Sequence, residues 1–387
     1  MATPASNAAV QGDPGEAPLG AFLLYFLKLG TVGFGGPIAL AEHMQRDLVD
    51  ERGWIRRQDY LDGLALAQLA PGPLAAQLAI YLGYVRAGVK GATLVGAAFI
   101  LPSFLMVLAL ASAYVRFGGL AWIQAVFYGI GAAVVAIIAR SAGKLARKVL
   151  QGERLLWTIF VVMAIATAVT KREVAVLFVA AGVITMTVEA WPRIRLKAAP
   201  AVLLMSTPWA GGSAAWQLLI FFGKAGLFVF GSGLAIVPFL HGGVVEQHHW
   251  LTEQQFLDAV AVAMITPGPV VITVAFIGYL VAGMWGAVAA GAGVFLPVYL
   301  VVVLLAPYYK RVIANPVLRA FVRGVTAAAV GAIAGAVVVI ARGAIRDWPA
   351  AAIAAVTLAL LMKWKAPEPL LIAGAGVVGV AVRSLTN

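Results

Sequence analysis

Residues 59–77 read DYLDGLALAQLAPGPLAAQ, and residues 255–273 read QFLDAVAVAMITPGPVVIT. In both stretches a Leu-Asp pair opens an apolar run that is interrupted by Pro-Gly-Pro. A proline inside a helix removes a backbone hydrogen bond and clashes with the preceding turn, so each stretch predicts two short helical arms that meet at the tripeptide. Each arm has about a dozen residues, whereas a membrane span needs about 20. We therefore expect each stretch to enter and leave the membrane on one side, as a re-entrant hairpin.

The matching stretches belong to a longer internal repeat. An offset of 196 residues pairs Lys28 with Lys224 and Trp54 with Trp250, and an offset of 195 pairs Pro102 with Pro297. Matching residues at a nearly constant offset over a whole half are typical of transporters built from structural repeats. We interpret the chain as a tail (1–18), a first repeat (19–191), a linker (192–215) and a second repeat (216–387).

The composition excludes a soluble protein. Of 387 residues, 62% are hydrophobic and 11% are charged, whereas an average soluble domain has roughly 25% charged residues. The apolar runs are continuous, unlike the alternating strands of outer-membrane barrels. The chain has no cysteine, which excludes disulfides and thiolate metal sites, and we expect no metal or cofactor. The sequence predicts an all-α polytopic membrane protein with a flexible N-terminal tail and no signal peptide.

Basic residues predict how the repeats are oriented. The apolar segments are roughly 19–41, 60–86, 90–115, 120–140, 154–170 and 173–190, then 216–240, 256–281, 284–306, 319–341, 348–362 and 368–385. With the Pro-Gly-Pro segments as hairpins, each half has five spans, and an odd number places the halves in opposite orientations. Of the 28 Lys and Arg residues, twenty then lie in cytoplasmic segments, six lie outside, and Lys28 and Lys224 lie within spans. Because cytoplasmic loops are enriched in Lys and Arg, the count favours an inverted repeat with the N-terminus outside.

Two lysines and two glycine-rich runs are candidate anion ligands. Lys28 and Lys224 occupy equivalent positions inside apolar segments, where an ionisable residue indicates function unless it snorkels to the interface. The runs 30–37 and 226–233 predict helix interruptions, whose free N–H groups attract anions. Tight helix packing through small residues is the alternative for these runs. The candidates here are Lys28, Thr31, Gly35, Gly36, Lys224, Gly231, Ser232 and Gly233.

The Pro-Gly-Pro tips are the second set of candidates, because irregular backbone inside a membrane must line protein or water. A kinked span without a ligand is the structural alternative. The candidates at the tips are Gln68, Pro71, Gly72, Pro73, Gln77, Thr266, Pro267, Gly268, Pro269 and Thr273. We expect the first tip to be the more sensitive to substitution, because Gln77 has only Thr273 as its counterpart.

Few carboxylates lie near the membrane. Asp62, Asp258 and Glu42 are candidates for proton coupling, although helix capping is the simpler role for the two aspartates. His241, Glu246, His248 and His249 cluster in one loop, which we interpret as solvated and not as a metal site.

Three stretches together resemble the chromate ion transporter (CHR) family: FLKLGTVGFGGP at 26–37, ERGWI with YLDGLALAQLAPGP at 51–73, and GYVRAGVKGA at 83–92. The resemblance covers about 21–140 and 216–335, as in long two-domain members. It implies chromate export from the bacterial cytoplasm by two oppositely oriented halves. The second half departs from the pattern, with Phe-Gly-Ser-Gly at 230–233 and with Met264 and Thr273 in place of Gln68 and Gln77.

We therefore predict a multi-pass secondary transporter of the bacterial inner membrane that exports chromate, with sulfate as a competitor. Membrane potential, a proton gradient or both would drive it, since no Gly-rich loop ending in Gly-Lys-Ser/Thr is present. An importer or exchanger of sulfate or another oxyanion, an anion channel and a membrane-embedded enzyme are the alternatives. The enzyme is disfavoured because the bilayer segments hold no nucleophile–base pair. Nucleic acid is not an expected partner, and a homodimer is one of the assemblies left open.

Overall fold

The computed structural model describes residues 18–34, 36–171, 175–190, 213–227, 236–364 and 367–386. These residues form α-helices and short turns, and none of them lies in a β-strand. The predicted all-α class is confirmed. The tail and the linker lie almost entirely outside the described residues.

The helices of the first half follow the predicted segments with one interruption. They are α1 (Leu19–Val32), α2 (Gly36–Gln45), α3 (Arg57–Leu69), α4 (Leu74–Phe117), α5 (Ala121–Leu150), α6 (Arg154–Thr170) and α7 (Ala175–Ala190), with a π-helical turn at Arg46–Glu51. The break between α1 and α2 confirms the interruption predicted from the glycine-rich run 30–37.

The second half repeats this order. It contains α8 (Ala214–Leu227), α9 (Ile236–His241), α10 (Glu253–Ile265), α11 (Thr273–Leu305), α12 (Tyr309–Ala314), α13 (Pro316–Ala344), α14 (Trp348–Trp364) and α15 (Glu368–Thr386). A π-helical turn lies at Gly242–Gln247 and 3₁₀ turns lie at Val270–Ile272 and Ala306–Tyr308.

Several helices have the length and composition of membrane spans. Within the described parts of the chain, five stretches are long and apolar enough to cross: Leu74–Phe117, Ala121–Leu150, Val270–Ala314, Pro316–Ala344 and Glu368–Leu385. Large apolar side chains cover their outer surfaces, and Trp285 and Leu304 are 75% and 66% exposed. This apolar exterior is that of a multi-pass membrane protein.

Both Pro-Gly-Pro tripeptides separate two helices, as predicted. Helix α3 ends at Leu69 and α4 begins at Leu74, and α10 and α11 are separated in the same way. The arms of the first hairpin pack side by side, because Gly63 of α3 lies directly against Tyr81 of α4. The tip glycines have positive φ angles, +140° at Gly72 and +102° at Gly268, which only glycine adopts readily.

Helices α4 and α11 each reverse direction once. Gly88 has φ 58° and ψ −148°, and Gly283 has φ 61° and ψ −148°. Beyond the reversal in α4, Gly91 packs onto Gly83. Residues 74–86 therefore complete the first hairpin, and residues 89–117 form the span that follows; we name these parts α4N and α4C. The corresponding parts of α11 are α11N (273–281) and α11C (284–305).

The two halves contact each other reciprocally. The first tip glycine, Gly72, packs against Val298 of the second half, and the second tip glycine, Gly268, packs against Ser103 of the first half. Ser103 and Val298 are repeat equivalents at the offset of 195. A contact in which each partner presents the same patch is the mark of a twofold axis, here an approximate one within a single chain.

The paired helices α4C and α11C run antiparallel. The hydroxyl groups of Thr93 and Tyr299 lie 2.7 Å apart, so an early residue of α4C meets a late residue of α11C. Farther along, Phe104 packs beside Gly291, so the order is reversed at the other end. The central spans of the two repeats therefore point in opposite directions.

Helix α5 extends beyond the apolar segment 120–140 and continues to Leu150. The added turns contain Ala, Lys, Arg and Leu, which are strong helix formers. As a result, Arg140 and Lys144 lie on a helix and not in a loop.

Candidate functional site

A cavity of about 830 Å³ lies where the two halves meet. Its walls come from the α1–α2 break, the second Pro-Gly-Pro tip, helix α5 and the start of α15. The lining residues are Gly33, Phe34, Gly36, Arg140, Lys144, Met264, Thr266, Gly268, Val270, Pro367, Glu368 and Pro369.

A backbone hydrogen bond joins two residues of the cavity wall, Gly33 and Gly268. The Gly268 N–H donates to the Gly33 carbonyl at 2.9 Å, and the buried Ser103 hydroxyl donates to the Gly30 carbonyl at 3.0 Å. A Cβ on Gly268 would overlap Ser103. The second tip therefore packs directly against the end of α1, and position 268 has no room for a side chain. We refer to Gly30, Gly33, Ser103 and Gly268 as the junction.

Arg140 and Lys144 provide the positive charge of the cavity. They are four residues apart on α5, so they lie on one face of that helix. Arg140 is half-buried and Lys144 is exposed. Glu368 lines the same cavity, but neither cation has an ion-pair partner within 4 Å among the described residues. Both side chains are available to an anion.

The first Pro-Gly-Pro tip is closed. A Cβ on Gly72 would lie 2.7 Å from the Gln77 amide nitrogen and 2.9 Å from the Val298 methyl groups. The Gln77 amide donates to the Pro71 carbonyl at 2.7 Å, while its Oε1 atom is buried without a hydrogen-bond partner. The two tips therefore differ, since only the second lines the large cavity.

The comparisons with known proteins identify the family. A family model described as a chromate transporter matches residues 20–186 and 216–380, one match in each half. The chain belongs to the chromate transporter family. A chromate transport protein of Cupriavidus metallidurans is 59% identical over 374 residues, which cover 94% of this chain and 93% of that protein.

Two further relatives are similar over nearly their whole length. A probable chromate transport protein of Synechococcus elongatus is 54% identical, with 92% of this chain and 93% of the relative covered. A chromate transport protein of Pseudomonas aeruginosa is 33% identical, with 93% and 91% covered. These relatives are transport proteins, and this family member is a transporter and not an enzyme. No solved structure is significantly similar to the chain.

In this chromate transporter family member, three of the predicted ligands line the cavity: Gly36, Thr266 and Gly268. Gly36 begins α2 with a φ of +77°, so its side of the cavity faces a helix N-terminus. The hydroxyl of Thr266 donates to the Val262 carbonyl at 2.7 Å and is therefore engaged with its own helix.

The other candidates near the helix breaks lie elsewhere. Lys28 and Thr31 are exposed on α1, and the Thr31 hydroxyl donates to the Leu27 carbonyl. Lys224 is half-buried on α8. Neither lysine lines the large cavity, and their role in binding stays a prediction. Gly35, Gly231, Ser232 and Gly233 lie outside the described residues.

The remaining tip candidates lie beside the two Pro-Gly-Pro tips, at the ends of the hairpin helices. Gln68 is exposed near the end of α3, while Thr273 is buried and donates to the Val270 carbonyl at 2.7 Å. The prolines Pro71, Pro73, Pro267 and Pro269 flank the tip glycines. None of these six residues is among those that line the large cavity.

The three candidate carboxylates have different surroundings. Glu42 is exposed on α2, Asp62 is half-buried on α3, and Asp258 is only 3% exposed on α10. Asp258 accepts hydrogen bonds from the Tyr114 hydroxyl at 2.7 Å and from the Gln254 amide at 2.9 Å.

The histidine cluster is divided among other contacts. His241 is buried and lies 2.9 Å from the Glu253 carboxylate, whereas His248 stacks on Trp250 with ring centres 4.3 Å apart. Burial lowers the pKa of His248. Within the described ranges, no group of three or more His, Cys, Asp or Glu side chains is arranged to hold a metal ion.

The sequence interpretation missed Arg140, Lys144 and Ser103. Arg140 and Lys144 entered the prediction only among the basic residues of the cytoplasmic segments, although their spacing of four residues is a helical one. Ser103 gave no signal, because its role depends on a tip more than 160 residues away in the chain.

Proposed function

We propose that this protein is a secondary transporter that exports chromate from the cytoplasm across the bacterial inner membrane. Family membership and the printed names of the relatives support chromate as the substrate. The observation that carries the proposal is the large cavity, in which two cations without ion-pair partners face the meeting point of both repeats.

The cavity suits a tetrahedral dianion. The Arg140 guanidinium can offer two parallel N–H donors to one oxyanion, and the Lys144 ammonium adds a compact charge. The N-terminus of α2 at Gly36 contributes the positive end of a helix dipole. The two positive charges of Arg140 and Lys144 balance the two negative charges of the dianion.

The contacts between segments support the inverted topology. Arg323 pairs with Glu153 and Glu189, which joins three segments that the charge count assigns to the cytoplasm. Helix α12, with its two basic residues, packs against α3, whose N-terminal loop is also basic. On the other face Lys171 lies 4.0 Å from Glu246, and both residues are assigned to the outside.

The antiparallel arrangement of α4C and α11C supports the same topology, because two inserted spans that run in opposite directions require inverted repeats. Under this topology the cavity opens toward the cytoplasm through Arg140, Lys144 and Glu368. The second hairpin would then enter from the outside, with its tip at the cavity wall. This conformation would be inward-facing, as an exporter needs in order to load its substrate.

The driving force follows from the charge of the substrate. Moving a dianion out of a cell with a negative interior is favoured by about 2.3 kcal/mol per charge for each 100 mV. The membrane potential therefore favours efflux, and a proton gradient can add to it. The large number of basic residues on the cytoplasmic side also attracts anions to the entrance.

The decisive experiment is flux into and out of proteoliposomes. We expect labelled chromate to move toward the positive compartment when a potassium diffusion potential is imposed, with a rate that saturates. Empty liposomes are the control, and unlabelled sulfate is the competitor. Faster uptake of labelled sulfate than of chromate would favour the sulfate transporter, and flux that does not saturate would favour a channel.

A further inference from the structure

Two equivalent groups of three side chains, each an aspartate, a glutamine and a tyrosine, lie on opposite faces of the molecule. We refer to each group as a triad. Asp258 lies with Gln254 and Tyr114 around a cavity of about 350 Å³. Asp62 lies with Gln58 and Tyr309 around a cavity of about 560 Å³. The offsets of 196 and 195 relate each residue of one triad to its counterpart in the other. Each triad joins a hairpin arm of one half to the other half, through Tyr114 in the last turns of α4C and through Tyr309 at the start of α12.

The two triads have different electrostatic surroundings. Lys310 and Arg319 line the cavity around Asp62. The titratable or charged groups that line the Asp258 cavity are Tyr114, Tyr128 and Arg383. No Lys or Arg of the described chain lies within 4 Å of the Asp258 carboxylate. Arg383 instead lies over the Tyr128 ring, with 5.5 Å between its guanidinium carbon and the ring centre, and the Tyr128 hydroxyl donates to Asp347.

A buried carboxylate without a neighbouring cation binds a proton readily, because the low dielectric disfavours its charged form. Its two neighbours can satisfy both forms. The Tyr114 hydroxyl and the Gln254 amide donate to the ionised carboxylate. After protonation, the new O–H can donate to the Tyr114 oxygen, because a tyrosine hydroxyl is both donor and acceptor.

We propose that Asp258 is a proton-binding residue of the transport cycle, which takes up a proton from the outer face and passes it inward as the anion moves out. This inference rests on the proposed function. Thr252, Gln254 and Gln255 line the cavity that leads to Asp258, and they provide a polar route for the proton. An entering proton and a leaving dianion move charge in the same electrical sense, so the membrane potential drives both.

The proposal is tested first without any substrate. Infrared difference spectra of the full-length protein between low and high pH contain contributions from all of its titrating carboxyl groups, and we expect one protonated-carboxyl band among them to come from Asp258. We expect this band to be absent in Asp258→Asn and retained in Asp59→Asn, a matched change at a half-buried aspartate that is paired with Arg56. Persistence of the band in Asp258→Asn, or its loss in Asp62→Asn instead, would overturn the proposal.

A second variant covers the case in which Asp258→Asn does not fold. Tyr114→Phe keeps the ring packed between Phe127 and Phe276 but removes a donor to the ionised carboxylate. Both forms lose a partner, but the hydrogen bond to the ionised carboxylate is the stronger of the two because it is charge-assisted. The titration midpoint of the band should therefore move upward by about one pH unit. An unchanged midpoint would contradict the assignment.

Flux measurements separate this proposal from the proposed function. At zero membrane potential, an inward proton gradient should accelerate chromate export by the wild-type protein several-fold, and Asp258→Asn should lose that acceleration while keeping voltage-driven flux. Voltage-driven flux that ignores the proton gradient would leave chromate transport standing and refute proton coupling. An Asp258-dependent band without any chromate flux would support proton binding by Asp258 and refute chromate transport.

Discussion

Arg140 and Lys144 are the residues on which anion binding in the cavity depends. We expect Arg140→Ala to raise the half-saturating chromate concentration about tenfold, because a charge-assisted hydrogen bond contributes roughly 1.5 kcal/mol. Lys144→Ala should cost less, about threefold, since its exposed charge is screened by solvent. Arg140→Lys should restore only part of the affinity, because an ammonium cannot form a bidentate contact. Initial rates in proteoliposomes measure these changes.

Arg147→Ala is the control for these variants, because Arg147 is exposed two turns along α5 and does not line the cavity. An equal effect of Arg147→Ala would mean that α5 attracts anions only through its overall charge. The same assay on Lys28→Ala and Lys224→Ala tests the sequence-based prediction that these lysines neutralise the anion.

Gly268 is the tip residue that lines the cavity, and we expect its substitution to impair transport. Its φ is +102°, and a Cβ would overlap Ser103, so Gly268→Ala should separate the second tip from the α1 break and reduce transport at least tenfold. Because the Ser103 hydroxyl causes the worst overlap, Ser103→Ala in the same chain should restore part of the activity. Flux per correctly inserted protein is the measurement. An unimpaired Gly268→Ala variant would show that the junction does not need close backbone contact.

The sequence could predict the tips but not which tip lines the cavity. Proline and glycine act on the local backbone, so Pro71 and Pro267 mark helix breaks in any context. The cavity depends on contacts between Gly268, Ser103 and Gly33, which are distant in sequence and follow from the packing of one repeat on the other. The prediction that the first tip, beside Gln77, is the more sensitive therefore stays a prediction, and the structure adds that Gly268 of the second tip lines the cavity.

At the level of helices, the reversals in α4 and α11 determine where each hairpin ends and each span begins. A Cβ at Gly88 would meet no atom within 4 Å, so only its backbone conformation restricts the residue. We expect Gly88→Ala to destabilise the protein by about 1–3 kcal/mol, the usual cost of a strained backbone. Gly374→Ala is the matched control, because Gly374 has equal space and no positive φ. Thermal unfolding in detergent should separate the two variants, and equal stability would contradict the assigned strain.

The extent of α5 shows why helix ends were less predictable than helix breaks. Hydropathy falls after residue 140 because basic residues begin there, and a membrane-based prediction ends the segment at that point. The backbone continues as helix to Leu150, since Ala, Lys and Arg favour helix without regard to the membrane. A boundary of the bilayer and a boundary of a helix are different physical limits.

For the whole molecule, the inverted arrangement predicts the sidedness of three loops. The chain has no native cysteine, so single cysteines can be labelled without background. We expect a membrane-impermeant maleimide to modify Asp50→Cys and Ile313→Cys only from the cytoplasmic side and Glu246→Cys only from the periplasmic side. Ile313 lies in the same cavity lining as Gln58, so it provides an internal check on the first loop. Labelling of positions 50 and 246 from one side would exclude inverted repeats.

The division of the chain into two repeats could be predicted from the sequence. Repetition gave the two halves through Lys28 and Lys224 and through the tripeptides, because a duplicated chain keeps its register. The twofold contact between Gly72 and Val298 and between Gly268 and Ser103 was not readable, because no local pattern says which surfaces of two similar units meet.

That contact also implies a preferred resting direction. If the halves were identical, turning the molecule over would exchange the open and closed faces, and both states would have equal free energy. Here a serine hydroxyl meets one tip and two valine methyl groups meet the other, while a glutamine supports one tip and a threonine the other. These substitutions remove the degeneracy, so the empty carrier rests with one face open. Divergence of the two repeats after gene duplication has therefore given an almost symmetric transporter one favoured conformation.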